Sequence, residues 1–403
     1  MLLGIRIQNF RIFNDDKAGI LLEDLISAEK SSELSVSAGI SSDIPFSNLM
    51  ALIGRNASGK SLFFDALSFV RDCTIMGCST AATQHGREGF LKILTVPGRS
   101  MIFDFLLQVT NEKLPAGGPG EKHISYHMEL TSDLHGRPFY CAEKVILCTK
   151  QKDGSYRQTI SLDLQDGTGA VQKGDELIAA GIADKKFSAL HSYGSIVSFP
   201  VLTEIFKEIT HWFFCNFSLE TDAVKVPVAP GGHKHLNSEG TNAENVLDYL
   251  HFENESLYNA IMEKISDKIP GSGKVSSRLP EFYKSSPNKL FLYLLLLEDP
   301  MPRPLICMET PDIGLYHDIV DVLASELRRY SIRHPYSQII FTTHNPYILE
   351  SMAPHEVWIF KREEENTGSL VKIECAGSKP IVAELYQQGV GMGAIWYSGH
   401  FDE

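Results

Sequence analysis

The sequence predicts an α/β protein, and three stretches predict it. Leu49-Met50-Ala51-Leu52-Ile53 is an unbroken apolar run of strand length; residues 54–61 carry two glycines, and Leu62, Phe63, Ala66, Leu67 and Val70 follow at helical spacing. Residues 101–109, 123–131, 140–149 and 156–164 are strand-like and are parted by Gly/Pro/Asp clusters, the pattern of an antiparallel meander. Leu305-Ile306-Cys307-Met308 and residues 338–343 are further buried strands on either side of an amphipathic helix over 318–332, with Ile319, Val322, Leu323 and Leu327 inward.

Of these, the first stretch carries the clearest chemistry. Gly54-Arg55-Asn56-Ala57-Ser58-Gly59-Lys60-Ser61 fits G-x-x-x-x-G-K-[ST], the phosphate-binding loop, and it stands between a strand and a helix as that loop requires. Gly54 and Gly59 allow backbone geometry that a side chain would block. Loop N–H groups and the helix N-terminus then face a triphosphate. Lys60 would neutralise β- and γ-phosphate charge and Ser61 would offer its hydroxyl to Mg²⁺, so ATP is the expected ligand.

Around this core the chain reads in order. Residues 2–10 are a strand followed by Arg11-Ile12-Phe13, and the Ser-rich stretch 15–47 reads as an edge hairpin or insertion. Residues 73–99 read as loop with one short helix, and from Asp175 the pattern turns helical. Leu202, Ile205, Ile209 and Trp212 share one face of a helix over 201–214, and 242–269 reads as two helices broken near Asn254. Ser286 as N-cap and Pro287 at the first helical position open a helix that runs to Leu297. Residues 357–360 and 370–373 form a last strand pair.

Composition excludes several classes. The chain has 403 residues, 43% of them hydrophobic and 22% charged, an ordinary globular balance long enough for two lobes. A net charge of −13 disfavours a DNA-coating role. The first residues lack a signal-peptide core because Arg6 and Gln8 interrupt them. The longest apolar run, 290–297, is far short of the ~20 residues of a membrane helix, so no membrane partner is expected. Seven cysteines without a C-x-x-C pair suit free thiols and a cytoplasmic location. His233 and His235 lack the further ligands of a metal site and read as exposed loop residues.

Two later motifs fit the phosphate loop. Leu305–Met308 ends in Glu309, where a Walker B acid holds Mg²⁺, and Phe341-Thr342-Thr343-His344-Asn345-Pro346 is a strand ending in a histidine that could reach a γ-phosphate. In these residues the chain resembles the RecF-like and OLD-like branch of ABC-type ATPases, a branch that also includes SMC-like heads. Its opening Ile5-Arg6-Ile7-Gln8-Asn9-Phe10-Arg11-Ile12-Phe13 resembles the family's first strand and "NFRSF" turn. Leu236-Asn237-Ser238-Glu239-Gly240-Thr241-Asn242 resembles "L-x-x-D-G-x-N", Glu309-Thr310-Pro311-Asp312-Ile313-Gly314-Leu315 resembles "D/E-E-P-E-x-G-L", and Thr342–Pro346 resembles "T-T-H-S-P". The ending 385–401 is similar to that of stand-alone members without a Toprim nuclease domain.

The resemblance implies an ABC-type P-loop ATPase head built from both ends of the chain, with a β-rich lobe and a helical lobe between Walker A and Walker B. The expected bounds are 1–110 and 276–403 for the two halves of the head, 111–175 for the β-rich lobe and 176–275 for the helical lobe. It implies ATP and Mg²⁺ as ligands, Ser61 and Glu309 at the metal, His344 as the switch histidine, Arg11 near the nucleotide, and Ser286 in a signature-like loop that acts on a second copy. It also implies a homodimer that controls a separate effector, a nuclease or toxin, in defence against phage. The alternatives are a RecF-like DNA-maintenance ATPase, a transporter subunit and a scaffold that no longer hydrolyses nucleotide. Three departures bear on the chemistry. Thr310 stands where the family has its catalytic glutamate, which leaves Asp312 as an alternative base; the signature glycine is absent from Ser286-Pro287-Asn288; and Ala57 stands where the loop often has glycine.

Overall fold

A computed structural model describes residues 1–31, 44–109, 114, 121–217, 233–269, 286–365 and 368–401. In chain order the strands are β1 (Leu2–Phe10), β2 (Phe13–Gly19), β3 (Leu49–Gly54), β4 (Met101–Val109), β5 (Lys122–Ser132), β6 (Pro138–Lys150), β7 (Tyr156–Gln165), β8 (Thr168–Lys173), β9 (Glu176–Gly181), β10 (Phe213–Cys215), β11 (Leu305–Met308), β12 (Gln338–Thr342), β13 (Val357–Glu365) and β14 (Gly368–Cys375). The helices are α1 (Leu22–Ser31), α2 (Lys60–Met76), α3 (Cys78–Ala81), α4 (Phe90–Ile93), α5 (Ala189–Tyr193), α6 (Pro200–Thr210), α7 (Ala243–Glu253), α8 (Glu255–Ser266), α9 (Ser286–Leu297), α10 (His317–Arg333), α11 (Pro346–Leu349), α12 (Pro380–Gln387) and α13 (Met392–Tyr397). They make two compact units. One comprises residues 1–47, 54–212 and 358–378, the other residues 48–53, 213–357 and 379–403.

The first unit is built on an antiparallel sheet in the order β2-β1-β4-β5-β6-β7-β8-β9. Its inward face is aromatic: Phe103 and Phe105 stack at 6.2 Å, and Phe105 stacks on Tyr126 at 6.2 Å. Helix α2 lies on this face through Phe69, 5.5 Å from Phe10 and 6.2 Å from Phe103. The β13/β14 hairpin joins the same unit, with Trp358 edge-on to Phe46 at 4.8 Å and Phe360 against Phe63 at 5.6 Å. The sheet is wider than the four strands read from sequence. Strands β8 and β9 extend it to Gly181, past the point where a helix was expected, because Gly174 turns the chain at φ +62° and the exposed Leu177 leaves β9 with a weak alternation. Likewise α1 occupies part of the stretch read as an edge hairpin or insertion.

The second unit has the opposite character. Strands β10, β11, β12 and β3 run parallel in that order and are apolar along their length, as strands covered on both faces must be. Strand β10 was missed in sequence: α6 stops at Thr210, and Phe213-Phe214-Cys215 pairs with Ile306, Cys307 and Met308. Helix α9 is buried from Lys289 to Leu297, and Glu298 just beyond it binds Arg333 at 2.9 Å. Helix α10 buries Ile319, Val320, Leu323, Ala324 and Leu327, with Val322 half-buried, a phase slightly rotated from the expected one. Among the described residues no helix is long and apolar enough to cross a membrane.

Candidate functional site

In the first unit the phosphate loop has a defined backbone. Gly54 sits at φ +143°, and a Cβ there would lie 2.2 Å from Phe360 O and 2.9 Å from Ser58 Oγ. Gly59 sits at φ +111°, with Ile12 Cδ1 3.0 Å from where a Cβ would be, so the turn after β1 packs on the loop. Ala57 adopts φ +61°, the left-handed region that favours glycine. That is the physical reason for the glycine preference from which this sequence departs.

Lys60 is buried at 6% exposure. Its ammonium donates to Gly54 O at 2.7 Å and Arg55 O at 2.9 Å, and it faces Ser58 Oγ at 3.4 Å. Burial pushes its pKa down to about 8. Ser58 is buried beside it, whereas Arg55, Asn56, Ala57 and Ser61 are exposed. The first turn of α2 holds no acidic residue, so nothing offsets the positive end of a 17-residue helix. Loop and helix thus form an anion-binding end with one buried cation.

Arg11 does not stand alone. Its Nε bonds Asp65 Oδ2 at 3.2 Å, and the other carboxylate oxygen of Asp65 takes Arg87 Nε at 2.7 Å. Arg87 is fully buried; it also binds Asp72 Oδ2 at 2.9 Å and Ala81 O at 2.9 Å. This network ties the first turn and the segment after α3 to the back of the phosphate-loop helix. Sequence reasoning missed Arg87, because one arginine in a Gly/Thr/Ala-rich stretch has no signal beyond its type.

In the second unit the strand register aligns the other motifs. Met308 pairs with Phe341, and Phe341 with Ala51. Glu309, Thr343 and the end of β3 therefore emerge at one edge, the C-terminal edge of parallel strands where α/β ligands sit. Glu309 is half-buried, and its backbone N–H donates to Cys215 O at 3.2 Å. Thr310 follows at φ +42°, and its N–H donates to Thr342 Oγ1 at 2.9 Å. For a β-branched residue that conformation is a true outlier, and such strain clusters at functional sites.

Asp312 is 6% exposed. Burial raises its pKa against the opposing effects of a hydrogen bond from Thr343 and the nearby Lys289 and His344. Its Oδ1 has no hydrogen-bond partner among the described residues. Lys289, read from sequence only as the end of the signature-like stretch 285–289, donates to Ile313 O at 2.8 Å and to Thr310 O at 3.4 Å. His344 is exposed at the end of β12. After it, Asn345 Oδ1 caps α11 by accepting from Tyr347 N at 3.0 Å, which explains why asparagine serves where the family pattern has serine. Ser285 and the side chains of Ser286, Pro287 and Asn288, the signature-like loop, lie outside the described residues.

Two further motifs receive structural accounts. In 236–242, the Asn242 amide accepts from Asn237 N at 2.9 Å and donates to His235 O at 3.0 Å and His233 Nδ1 at 2.9 Å, while Gly240 turns at φ +73°. His235 itself pairs with Asp299 at 2.6 Å. Among the described residues no three His, Cys, Asp or Glu side chains gather as a metal site. Near the C-terminus, Gly391 and Gly393 leave room for the Glu350 carboxylate, which a Cβ at either position would strike.

Parallel strands ending in a phosphate loop and an acid, together with an antiparallel sheet and a helical segment between the motifs, define an ABC-type P-loop ATPase fold. Comparison with known proteins found one family model and several solved structures. The family model described as "AAA domain, putative AbiEii toxin, Type IV TA system" matches residues 49–146 and 288–350, which contain the phosphate loop, Lys289, Glu309 and His344. The chain is also similar to solved structures of SMC heads. One, an SmcHead bound to the C-winged helix domain of ScpA, has 14% identity and a TM-score of 0.49, with 93% of this chain and 97% of that one covered. The SMC head domain from Thermotoga maritima has 13% identity and a TM-score of 0.35, with 92% and 97% covered. The Smc head with an extended coiled coil, bound to the C-terminal domain of ScpA derived from Pyrococcus furiosus, has 11% identity and a TM-score of 0.39, with 96% and 99% covered. No curated protein matches the chain. The family match covers less than half of the chain and supports a nucleotide-binding P-loop ATPase domain in it.

Proposed function

We propose that the protein is an ATP-operated switch: two copies close over nucleotide, and closure controls a separate effector, a nuclease or toxin, in defence against phage. The observation that carries the nucleotide part is the phosphate loop. Its left-handed residues are set and its buried Lys60 is held on loop carbonyls, ready to exchange them for phosphate oxygens. The defence role rests on the resemblance to stand-alone family members and is supported by the toxin–antitoxin wording of the matched family.

In this reading Gly54–Ser61 binds the phosphates, and Ser61 and Glu309 hold Mg²⁺. Mg²⁺ held there would supply positive charge to offset that of the phosphates. His344 senses the γ-phosphate, and Ser286 contributes from the second copy. Thr310 has no proton-accepting group at neutral pH, and Asp312 lies buried facing Lys289 and Thr343. Binding therefore outlasts hydrolysis, and the site behaves as a slow timer or a sensor of ATP. Titration calorimetry with ATP and Mg²⁺, and sedimentation with a non-hydrolysable analogue, test the two halves of the proposal. Saturable binding with a nucleotide-dependent rise in mass is expected; no saturable binding would overturn it. Steeply salt-dependent affinity for duplex DNA would instead favour the DNA-maintenance reading.

A further inference from the structure

Outside the phosphate loop stands another buried cation. Lys289 is the fourth residue of α9 and 5% exposed. A buried ammonium is costly unless it is paired and hydrogen-bonded. Here its partners are Ile313 O at 2.8 Å, Thr310 O at 3.4 Å, the Tyr293 ring at 6.0 Å and the charge of buried Asp312. Three of these four belong to a single turn, residues 310–313. The same turn holds a β-branched residue at φ +42°, where L-residues are disfavoured. Its own closure is one backbone bond, Ile313 N to Thr310 O at 3.2 Å.

We propose that Lys289 is a positioning residue: by stapling the carbonyl oxygens of Thr310 and Ile313 it keeps Thr310 left-handed, and so fixes the direction in which the adjoining Glu309 leaves β11. Asp312 is the counter-charge of the staple. The consequence for function rests on Glu309 being the metal-binding acid, as proposed above. Because misplacement of a group by about 1 Å can cost ~100-fold, the effect should appear in the metal-dependent part of nucleotide binding and not in the phosphate-loop part.

Lys289→Met keeps the stem and removes the ammonium. ATP binding without metal should stay within about twofold of the parent, while the gain in affinity produced by Mg²⁺ should fall about tenfold. Adding Thr310→Gly to Lys289→Met should restore most of that gain, since glycine adopts φ +42° unaided. A lysine that merely docks α9 would lower Tm without this rescue. An unchanged Mg²⁺ gain in Lys289→Met, or a loss that Thr310→Gly does not recover, overturns the proposal. The single variant Thr310→Gly decides the matter even if Lys289→Met does not fold: release of strain should raise Tm by about 2–4 °C, and a lowered Tm would mean that no strained turn is being held. Failure of the underlying reading shows separately, as a parent protein that binds no ATP; the staple is then judged by the Tm of Thr310→Gly alone.

Discussion

Two buried lysines, one in each unit, do the same local job on different turns. Lys60 bonds Gly54 O and Arg55 O; Lys289 bonds Thr310 O and Ile313 O. Burial pushes both down to about 8, and beside each stands a non-glycine residue in the left-handed region, Ala57 at φ +61° and Thr310 at φ +42°. They differ in surroundings. Lys60 faces a loop whose Arg55, Asn56 and Ala57 are open to solvent, with a helix N-terminus behind it. Lys289 is closed in by Tyr293 and Asp312. A lysine that can trade its carbonyls for a ligand and a lysine that cannot have nearly the same hydrogen bonds; only the environment tells binding from positioning.

The largest effect that would break this contrast comes from Lys60. Removing one partner of a buried, hydrogen-bonded charge pair costs about 2–5 kcal/mol, so Lys60→Met should weaken ATP by roughly 30-fold to several thousand-fold, with or without Mg²⁺. Calorimetry that found under threefold loss would remove Lys60 from the phosphate site. Hydrolysis comes next. A positioned general base contributes ~10²–10⁴-fold, so Thr310→Glu should raise the slow single-turnover rate by about 100-fold, and Asp312→Asn should change it little. A substantial parent rate abolished by Asp312→Asn would make Asp312 the base.

A smaller effect follows from pH. Lys60 has a folded pKa of about 8, below its ordinary 10.5, and a bound triphosphate favours the charged form. Below about pH 8 the lysine is already protonated, so affinity should be flat. Above it, the free protein must take up a proton to bind, and Kd should rise by up to tenfold per pH unit toward 10.5. The same depression means that between about pH 8 and 10.5 the unfolded chain binds more protons, so this residue's share of stability rises with pH across that window. A Kd independent of pH from 7 to 9.5 would separate Lys60 from the ligand. The smallest effect belongs to Ala57→Gly, which should stabilise the protein by about 1 kcal/mol, seen as a higher Tm, because glycine takes φ +61° without strain.

What the sequence revealed, and what it did not, follows the same contrast. The phosphate loop was readable because its function demands glycines at fixed spacing beside a lysine, and Glu309 and His344 because each ends an apolar strand. Lys289 was readable only as the end of the signature-like stretch 285–289, and its contacts were not: its partners are backbone carbonyls 21 and 24 residues away, and a carbonyl has no sequence signature. Arg87 was hidden for the same reason, since its meaning lies in Asp65 and Asp72 across a helix face. In the fold, the long apolar strands and helices were evident. Strands β9 and β10 were not, one because it is half exposed and the other because three residues after a helix carry no period of their own.

One ligand would join the two lysines' turns. Ser61 follows Lys60, and Glu309 precedes the turn that Lys289 holds; the reading requires both to meet one Mg²⁺. ATP titrations of the parent and of Glu309→Gln, each with Mg²⁺ and with the metal chelated, measure this. Glu309→Gln should lose most of the affinity gained from Mg²⁺ and leave metal-free binding nearly unchanged. Equal losses under both conditions, or none under either, would contradict that reading and make Glu309 a structural acid.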